Sequence, residues 1–415
     1  MGEEVDVPLP PLVEPVPELP VELVRRYSRH LIIPDVGSLG QRRLAAARVL
    51  VVGAGGLGSP ALMYLAAAGV GTIGVLDDDV VEESNLQRQV VHGQSDLGRP
   101  KVDSARDAIA EINPHVRVIT HQVRLDAANV MEVFAGYHLV LDGTDNFATR
   151  YLVNDACALL GIPYVWGSIY RFDGQVSVFW ADPPPGPDGE RVDGVTYRDV
   201  FPVPPPPGMV PSCAEGGVLG VLCAAIGSVM VTEAVKLICG IGRPLLGRLV
   251  VLDALEMTWR TVRLRPDPEA EPVTALADYE AFCGTLSPSA AAAAEGSTIT
   301  ARQLAAMLEA RDRGEEDFVL VDVREPGERE IVAIPGSVLL PVGRIRTGEG
   351  VAELAELTRA DGPAGERRVV LHCKTGGRSA EALALLKAAG FADAVHVAGG
   401  VLAWVDQVDP TQPTY

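Results

Sequence analysis

Two stretches of this sequence set reactive groups where glycine leaves the backbone open. The first, Gly53-Ala54-Gly55-Gly56-Leu57-Gly58, has the spacing G-x-G-x-x-G and follows the apolar run ARVLVV. The second, Cys373-Lys374-Thr375-Gly376-Gly377-Arg378, follows VVLH and opens into SAEALALLKAAG, a helical pattern. A glycine turn at the head of a helix aims unpaired N–H groups and the positive end of the helix dipole at one point. Such a point holds a phosphate in one setting and a thiolate in another.

The elements needed to position the first loop are legible around it. ARVLVV, GAGGLGSP, ALMYLAAAG and VGTIGVLD read as strand, turn, helix and strand, and Asp77 and Asp79 follow about twenty residues after the loop. Glycine lets the backbone approach a phosphate, and a carboxylate at the end of the second strand accepts from ribose hydroxyls. The spacing therefore predicts a bound nucleotide rather than a plain tight turn. It does not choose the nucleotide, because an NAD oxidoreductase carries the same fingerprint.

The next motifs bear on that choice. Ser84-Asn85-Leu86-Gln87-Arg88-Gln89, Gly98-Arg99-Pro100-Lys101 and Gly143-Thr144-Asp145-Asn146 fall at predicted strand ends and loops beside the crevice. Arg88 and Lys101 suit a triphosphate whose charge is neutralised while one phosphorus is attacked, and Asp145 suits a magnesium ion.

Composition bounds the rest. At 415 residues the chain predicts about two to three domains. With 47% hydrophobic and 22% charged residues and valine and alanine runs between glycine turns, it predicts an α/β protein. A net charge of -20 argues against nucleic acid or an acidic membrane as partner. The six cysteines (Cys157, Cys213, Cys223, Cys239, Cys283 and Cys373) form no C-x-x-C pair, which predicts reduced thiols in a cytoplasm. Residues 1–21, acidic and proline-rich, are expected to be a flexible lead-in without signal-peptide character. The apolar stretch Val218 to Ile241 carries Thr232, Glu233 and Lys236 and reads as a buried or subunit-interface helix. Pro-rich residues 200–213 must be a loop, and the SPSAAAAAEGS run marks a linker assigned to 284–297. That leaves a first domain at 22–283 and a small parallel-sheet domain at 298–408.

Arg26-Tyr27-Ser28-Arg29, GAGGLGS, LDDD, SNLQRQ, GRPK and GTDN, in this order, resemble the adenylyltransferases that activate ubiquitin-like sulfur carrier proteins, relatives of the ubiquitin-activating enzymes. The resemblance covers roughly residues 22 to 270 and implies a Rossmann-like adenylation domain with a mainly parallel sheet. It implies that a carrier's C-terminal glycine carboxylate attacks the α-phosphorus of ATP. Carried onto this chain, it puts Gly53, Gly55, Gly56 and Gly58 in the phosphate loop and Asp77 and Asp79 on the ribose or metal side. Ser84, Asn85, Leu86, Gln87, Arg88 and Lys101 would contact the nucleotide, and Asp145 and Asn146 would close the site, Asp145 as the magnesium ligand. Arg29 would reach into a neighbouring subunit's site, which implies a homodimer. Relatives that also act on ubiquitin-like proteins place a thioester cysteine where Cys213 stands; a small buried cysteine is the plainer alternative. Many relatives hold a structural zinc with two C-x-x-C pairs, whereas this chain has Thr196-Tyr197-Arg198-Asp199 at the first and only Cys283 near the second, so structural zinc is expected to be absent.

At the second loop, successive backbone N–H groups, Lys374 and Arg378 predict a stabilised thiolate or persulfide on Cys373. With DVREPGERE, IPGS and AGGVLAW, the segment from about 296 to 408 resembles the rhodanese sulfurtransferases, and six residues from Cys373 to Arg378 match the sulfur-transfer loop rather than a related phosphatase. Asp322 and Arg324 are expected at the pocket, while Ala333 stands where rhodaneses commonly have histidine. Together the resemblances imply a bifunctional enzyme that adenylylates a carrier and passes it sulfur from Cys373, for molybdenum cofactor and related sulfur metabolites. The donor would be thiosulfate or a cysteine desulfurase. The alternatives are an activator that forms a thioester on Cys213 without sulfur transfer, an NAD-dependent oxidoreductase, and a scaffold without catalysis.

Overall fold

Runs of about five β-branched residues bounded by glycine form strands here, and the alanine-leucine runs between them form helices. The computed structural model describes residues 9–187, 189–204, 217–279, 296–359 and 367–415. These divide into two compact units, one ending at 279 and one beginning at 296. Linker residues 284–295, Cys213 and Cys283 lie outside the described residues.

The first unit is built on an eight-stranded sheet of order β3-β2-β1-β4-β5-β6-β7-β8. Strands β1 (Arg48–Val52), β2 (Thr72–Leu76), β3 (Arg117–His121), β4 (Leu139–Asp142) and β5 (Tyr164–Tyr170) run parallel. Strands β6 (Asp173–Phe179), β7 (Arg248–Asp253) and β8 (Thr258–Arg263) continue the sheet antiparallel. Strand order reverses between β1 and β4, whose ends pair as Val52 with Asp142. Connections leave in opposite directions there and open a crevice at the carboxyl ends of the strands.

The helix Gly58–Ala68 begins in that crevice. A Cβ on Gly58 would lie 1.8 Å from the Gly53 carbonyl oxygen, so only glycine lets the helix start this close to the strand end. The helix Gly220–Cys239 is long and apolar enough by composition to cross a membrane, yet Leu222, Ile226, Met230, Ala234, Leu237 and Ile238 pack into the core. Its buried Glu233 pairs with Lys236 at 2.5 Å and accepts from the Leu245 N–H. The lead-in differs from the sequence expectation. From Leu9 it is a packed strap: Leu9 and Val13 are buried, and the Leu12 N–H donates to the Leu237 carbonyl. Proline cannot join a helix or sheet ladder, but proline-rich chain can still lay apolar side chains on a core.

The second unit is a five-stranded parallel sheet of order β11-β10-β12-β13-β9. It comprises β9 (Thr298–Ile299), β10 (Phe318–Asp322), β11 (Val338–Leu339), β12 (Arg368–His372) and β13 (Val395–Val397). The central strand β12 delivers Cys373 to its carboxyl end, directly before the helix Gly377–Ala388.

Candidate active site

The crevice of the first unit holds a cavity of about 900 Å3, a size suited to a nucleotide. Gly53, Gly55 and Gly56 form one side, Asp77 to Asp79 another, and Arg88, Lys101, Asp145 and Asn146 also line it. The Asp77 carboxylate accepts from the Ala54 N–H at 2.8 Å and the Asp79 N–H at 2.9 Å, which locks the glycine turn to the end of β2. Burial pushes its pKa up against the pull of Lys101. The Lys101 ammonium bonds Asp79 at 2.8 Å and stands 3.9 Å from Asp77. Ligand oxygens of Asp77, Asp78 and Asp79 lie within 4.8 Å of one another, so the acidic side of the cavity gathers three carboxylates, two of them beside Lys101.

Other expected residues support the wall rather than line it. The Arg88 guanidinium is steadied by the Ser84 carbonyl at 2.9 Å, and Asn85 is buried with its side chain accepting from the Glu82 N–H. Ser84, Asn85, Leu86, Gln87 and Gly58 are absent from the cavity lining. Asn146 does line it, but its amide oxygen caps the helix Phe147–Leu160 through the Thr149 N–H at 2.8 Å. Arg29 is exposed on the short helix Ser28–Leu31, away from this chain's own cavity.

Sequence reasoning missed several parts of the wall, four of which bear on the site. Arg124 and Asp126 arrive after β3, and Cys223 comes from the long helix. Cys223, expected from sequence to be a reduced thiol, is buried and also faces the loop: a Cβ on Gly56 would lie 2.8 Å from its sulfur. The fourth part is the strap Leu276–Tyr279. The Tyr279 hydroxyl donates to Asp155 at 2.7 Å, and Asp155 is gripped by Arg198 at 2.8 and 2.7 Å. Asp199 ties the same stretch, accepting from the Asp267 N–H at 2.8 Å and from Thr196. Thr196–Asp199 thus acts as a polar clasp. Tyr279→Phe removes one bond to a buried carboxylate, worth about 1–3 kcal/mol. It should raise KM for the nucleotide several-fold with kcat little changed, checked by steady-state kinetics.

In the second unit Cys373 is buried and its sulfur accepts from the Gly376 N–H at 3.1 Å. Gly376 adopts φ +108°, a left-handed turn that folds this N–H back onto the sulfur. The helix Gly400–Gln407 pins the loop from behind, its Val401 and Leu402 N–H groups bonding the Cys373 and Lys374 carbonyls. The expected roles of three charged groups change. Arg378 is clamped bidentate by Glu328 at 2.7 and 2.8 Å, so much of its charge is offset before it reaches the sulfur. Asp322 and Arg324 are fully buried and pair with each other at 2.7 Å, forming a strut under the loop rather than a lining of the pocket. Cys157 and Cys239 lie buried in the first unit; burial drives the Cys157 thiol well up and the Cys239 thiol to about 11, which suits core residues.

His372, next to the nucleophile, is fully buried, and burial lowers its pKa from 6.5 to about 4. It stays neutral in the folded state while the unfolded chain takes up a proton below 6.5. Stability is therefore full above 6.5 and lost as pH falls toward 4, by about 3 kcal/mol. Asp322 and Glu328, held down by their arginine partners against the opposing effect of burial, act only at lower pH. Chemical denaturation should show this slope for the second unit, and His372→Leu should flatten it.

The chain thus carries a nucleotide-sized pocket walled by a glycine turn, a lysine and carboxylates, and a separate loop centred on a buried thiol. The chain belongs to the ThiF family, whose model matches residues 27–273, and the rhodanese-like domain model matches 300–407. It is 60% identical over 98% of its length, and 99% of the relative's, to a Mycobacterium tuberculosis protein named probable adenylyltransferase/sulfurtransferase MoeZ. It is 53% identical, over 63% of its length and 97% of the relative's, to a Thermus thermophilus protein named sulfur carrier protein adenylyltransferase. A Bos taurus protein named adenylyltransferase and sulfurtransferase MOCS3 is 39% identical over 99% of this chain and 91% of its own length. Among solved structures, E. coli MccB with MccA-N7isoASN superposes with a TM-score of 0.51 at 19% identity, covering 60% of this chain and 74% of that one, a likeness of fold. The chain is thus a bifunctional enzyme, an adenylyltransferase and a sulfurtransferase, and its first activity consumes ATP.

Proposed function

We propose that the first unit adenylylates the C-terminal glycine of a ubiquitin-like sulfur carrier protein and that Cys373 then supplies the sulfur. A carboxylate at neutral pH is a poor electrophile, and an acyl adenylate has AMP as a good leaving group. The glycine turn and the start of Gly58–Ala68 cradle the phosphates, and Arg88 and Lys101 offset charge that develops as pyrophosphate departs. The exposed Asp145 carboxylate suits an oxygen-liganded magnesium ion, which would neutralise phosphate charge when bound. Arg29 completes the site of a second copy in a homodimer.

Sulfur enters as a persulfide on Cys373: its thiolate attacks the outer sulfur of thiosulfate, expelling sulfite, or of a cysteine desulfurase persulfide, expelling that enzyme's thiolate. Its terminal sulfur attacks the acyl carbonyl, AMP leaves, and an acyl disulfide joins carrier and enzyme. A thiol, from Cys213 or an external reductant, then attacks the Cys373 sulfur, releases the carrier thiocarboxylate and leaves a disulfide to be reduced. Sharing one chain raises the effective concentration of sulfur near the activated end to about the millimolar range. The product would serve molybdenum cofactor and related sulfur metabolism in the cytoplasm.

One observation carries this reading: a cavity with glycine turn, Lys101 and acidic wall, and a buried cysteine bonded by its own loop's N–H, occur in one polypeptide. ATP–pyrophosphate exchange with a purified carrier ending in glycine tests the first half. Exchange that requires the carrier supports it; carrier-independent exchange, or none, contradicts it. The thioester alternative predicts instead a stable carrier adduct on Cys213.

A further inference from the structure

We propose that Tyr415 is a positioning residue of the sulfur-transfer site, holding the loop cations Lys374 and Arg378 in place for an anionic sulfur donor. The proposal rests on the reading that Cys373 accepts sulfur. No motif of the sequence points to this tyrosine, which lies 42 residues beyond the nucleophile.

Geometry brings it there. After the helix Gly400–Gln407 the chain turns around Asp409, whose carboxylate accepts from the Thr411 hydroxyl and the Gln412 amide. This returns residue 415 to the Cys373 loop. The Lys374 ammonium stands 4.4 Å from the centroid of the Tyr415 ring, in range of its negative face. The hydroxyl accepts from Arg324 Nη1 at 2.8 Å and donates to Glu328 Oε1 at 2.8 Å. Glu328 in turn takes both ends of Arg378. One phenol therefore contacts Lys374 through its face and reaches Arg378 through a single carboxylate.

Both cations sit on long side chains whose ordering beside the nucleophile costs rotamer entropy. Arg324 is immobile, fully buried and bound to Asp322 and to the Val332 carbonyl. Tyr415 transmits that rigidity to the loop. Burial keeps the phenol protonated, which preserves its donor role toward Glu328. The preorganised charge, that of Lys374 above all since Glu328 offsets much of Arg378's, favours capture of a donor such as thiosulfate, and the effect falls on binding more than on sulfur–sulfur bond exchange.

Steady-state thiosulfate-to-cyanide sulfur transfer by the full chain tests this with Tyr415→Leu, Tyr415→Phe and Cys373→Ser. Tyr415→Leu should raise KM for thiosulfate about tenfold with kcat within about twofold, and Tyr415→Phe, which keeps the ring under Lys374, about threefold. ATP–pyrophosphate exchange should be unchanged in both. KM left at the wild-type value in Tyr415→Phe and in Tyr415→Leu, or a fall in kcat alone, would overturn the proposal. Should Tyr415→Leu fail to fold, the Phe variant still decides it. Sulfur transfer that survives Cys373→Ser would instead sink the reading of Cys373, a separate failure.

Discussion

Cys373→Ala is expected to abolish both thiocarboxylate formation and thiosulfate-to-cyanide transfer, a loss of at least about a thousandfold, while carrier-dependent ATP–pyrophosphate exchange continues at the wild-type rate. The substitution removes one buried sulfur and its bond from the Gly376 N–H. Backbone bonds that pin the loop, such as Val401 N–H to the Cys373 carbonyl, do not involve the side chain. The structural cost is about 1 kcal/mol for a small void, too little to unfold the unit. Loss of ATP–pyrophosphate exchange together with sulfur transfer would contradict the division of labour between the two units.

Asp145→Ala is expected to lower adenylation by about a hundredfold to a thousandfold and leave thiosulfate-to-cyanide transfer unchanged. Asp145 is exposed in the cavity, so its removal takes a charge from the nucleotide's side without emptying the core. Lys101 would be a less clean probe. It is buried, and its loss would strand Asp77 and Asp79 without the cation between them. Sulfur transfer falling with adenylation intact would count against the assignment.

The contrast between these two residues and others explains what the sequence reveals. A phosphate cradle and a thiolate cradle both need glycine at fixed offsets from a strand end, so Gly53 to Gly58 and Cys373 to Arg378 are written in contiguous residues. The alternation around the first loop was equally legible: β1 and β2 lie within the two runs read as strands. Side-chain partnership is not local. Arg378 looks like charge offered to the sulfur until Glu328, 50 residues earlier, takes both its nitrogens. Asn146 looks like a nucleotide contact until its amide is seen capping a helix, although the N-cap pattern before Phe147–Leu160 was available as a signal. Arg124, Cys223, Tyr279 and Tyr415 reach their sites through tertiary folding alone. The lead-in was misjudged because proline content reports the lack of ladder hydrogen bonds, not the lack of packing for Leu9 and Val13.

The most direct measurement is the intact mass of a glycine-ending carrier protein incubated with the enzyme, ATP and thiosulfate. The account predicts the gain for one oxygen replaced by sulfur, dependent on ATP and missing with the Cys373→Ala enzyme. An unchanged carrier mass, or the same gain without ATP, would contradict it.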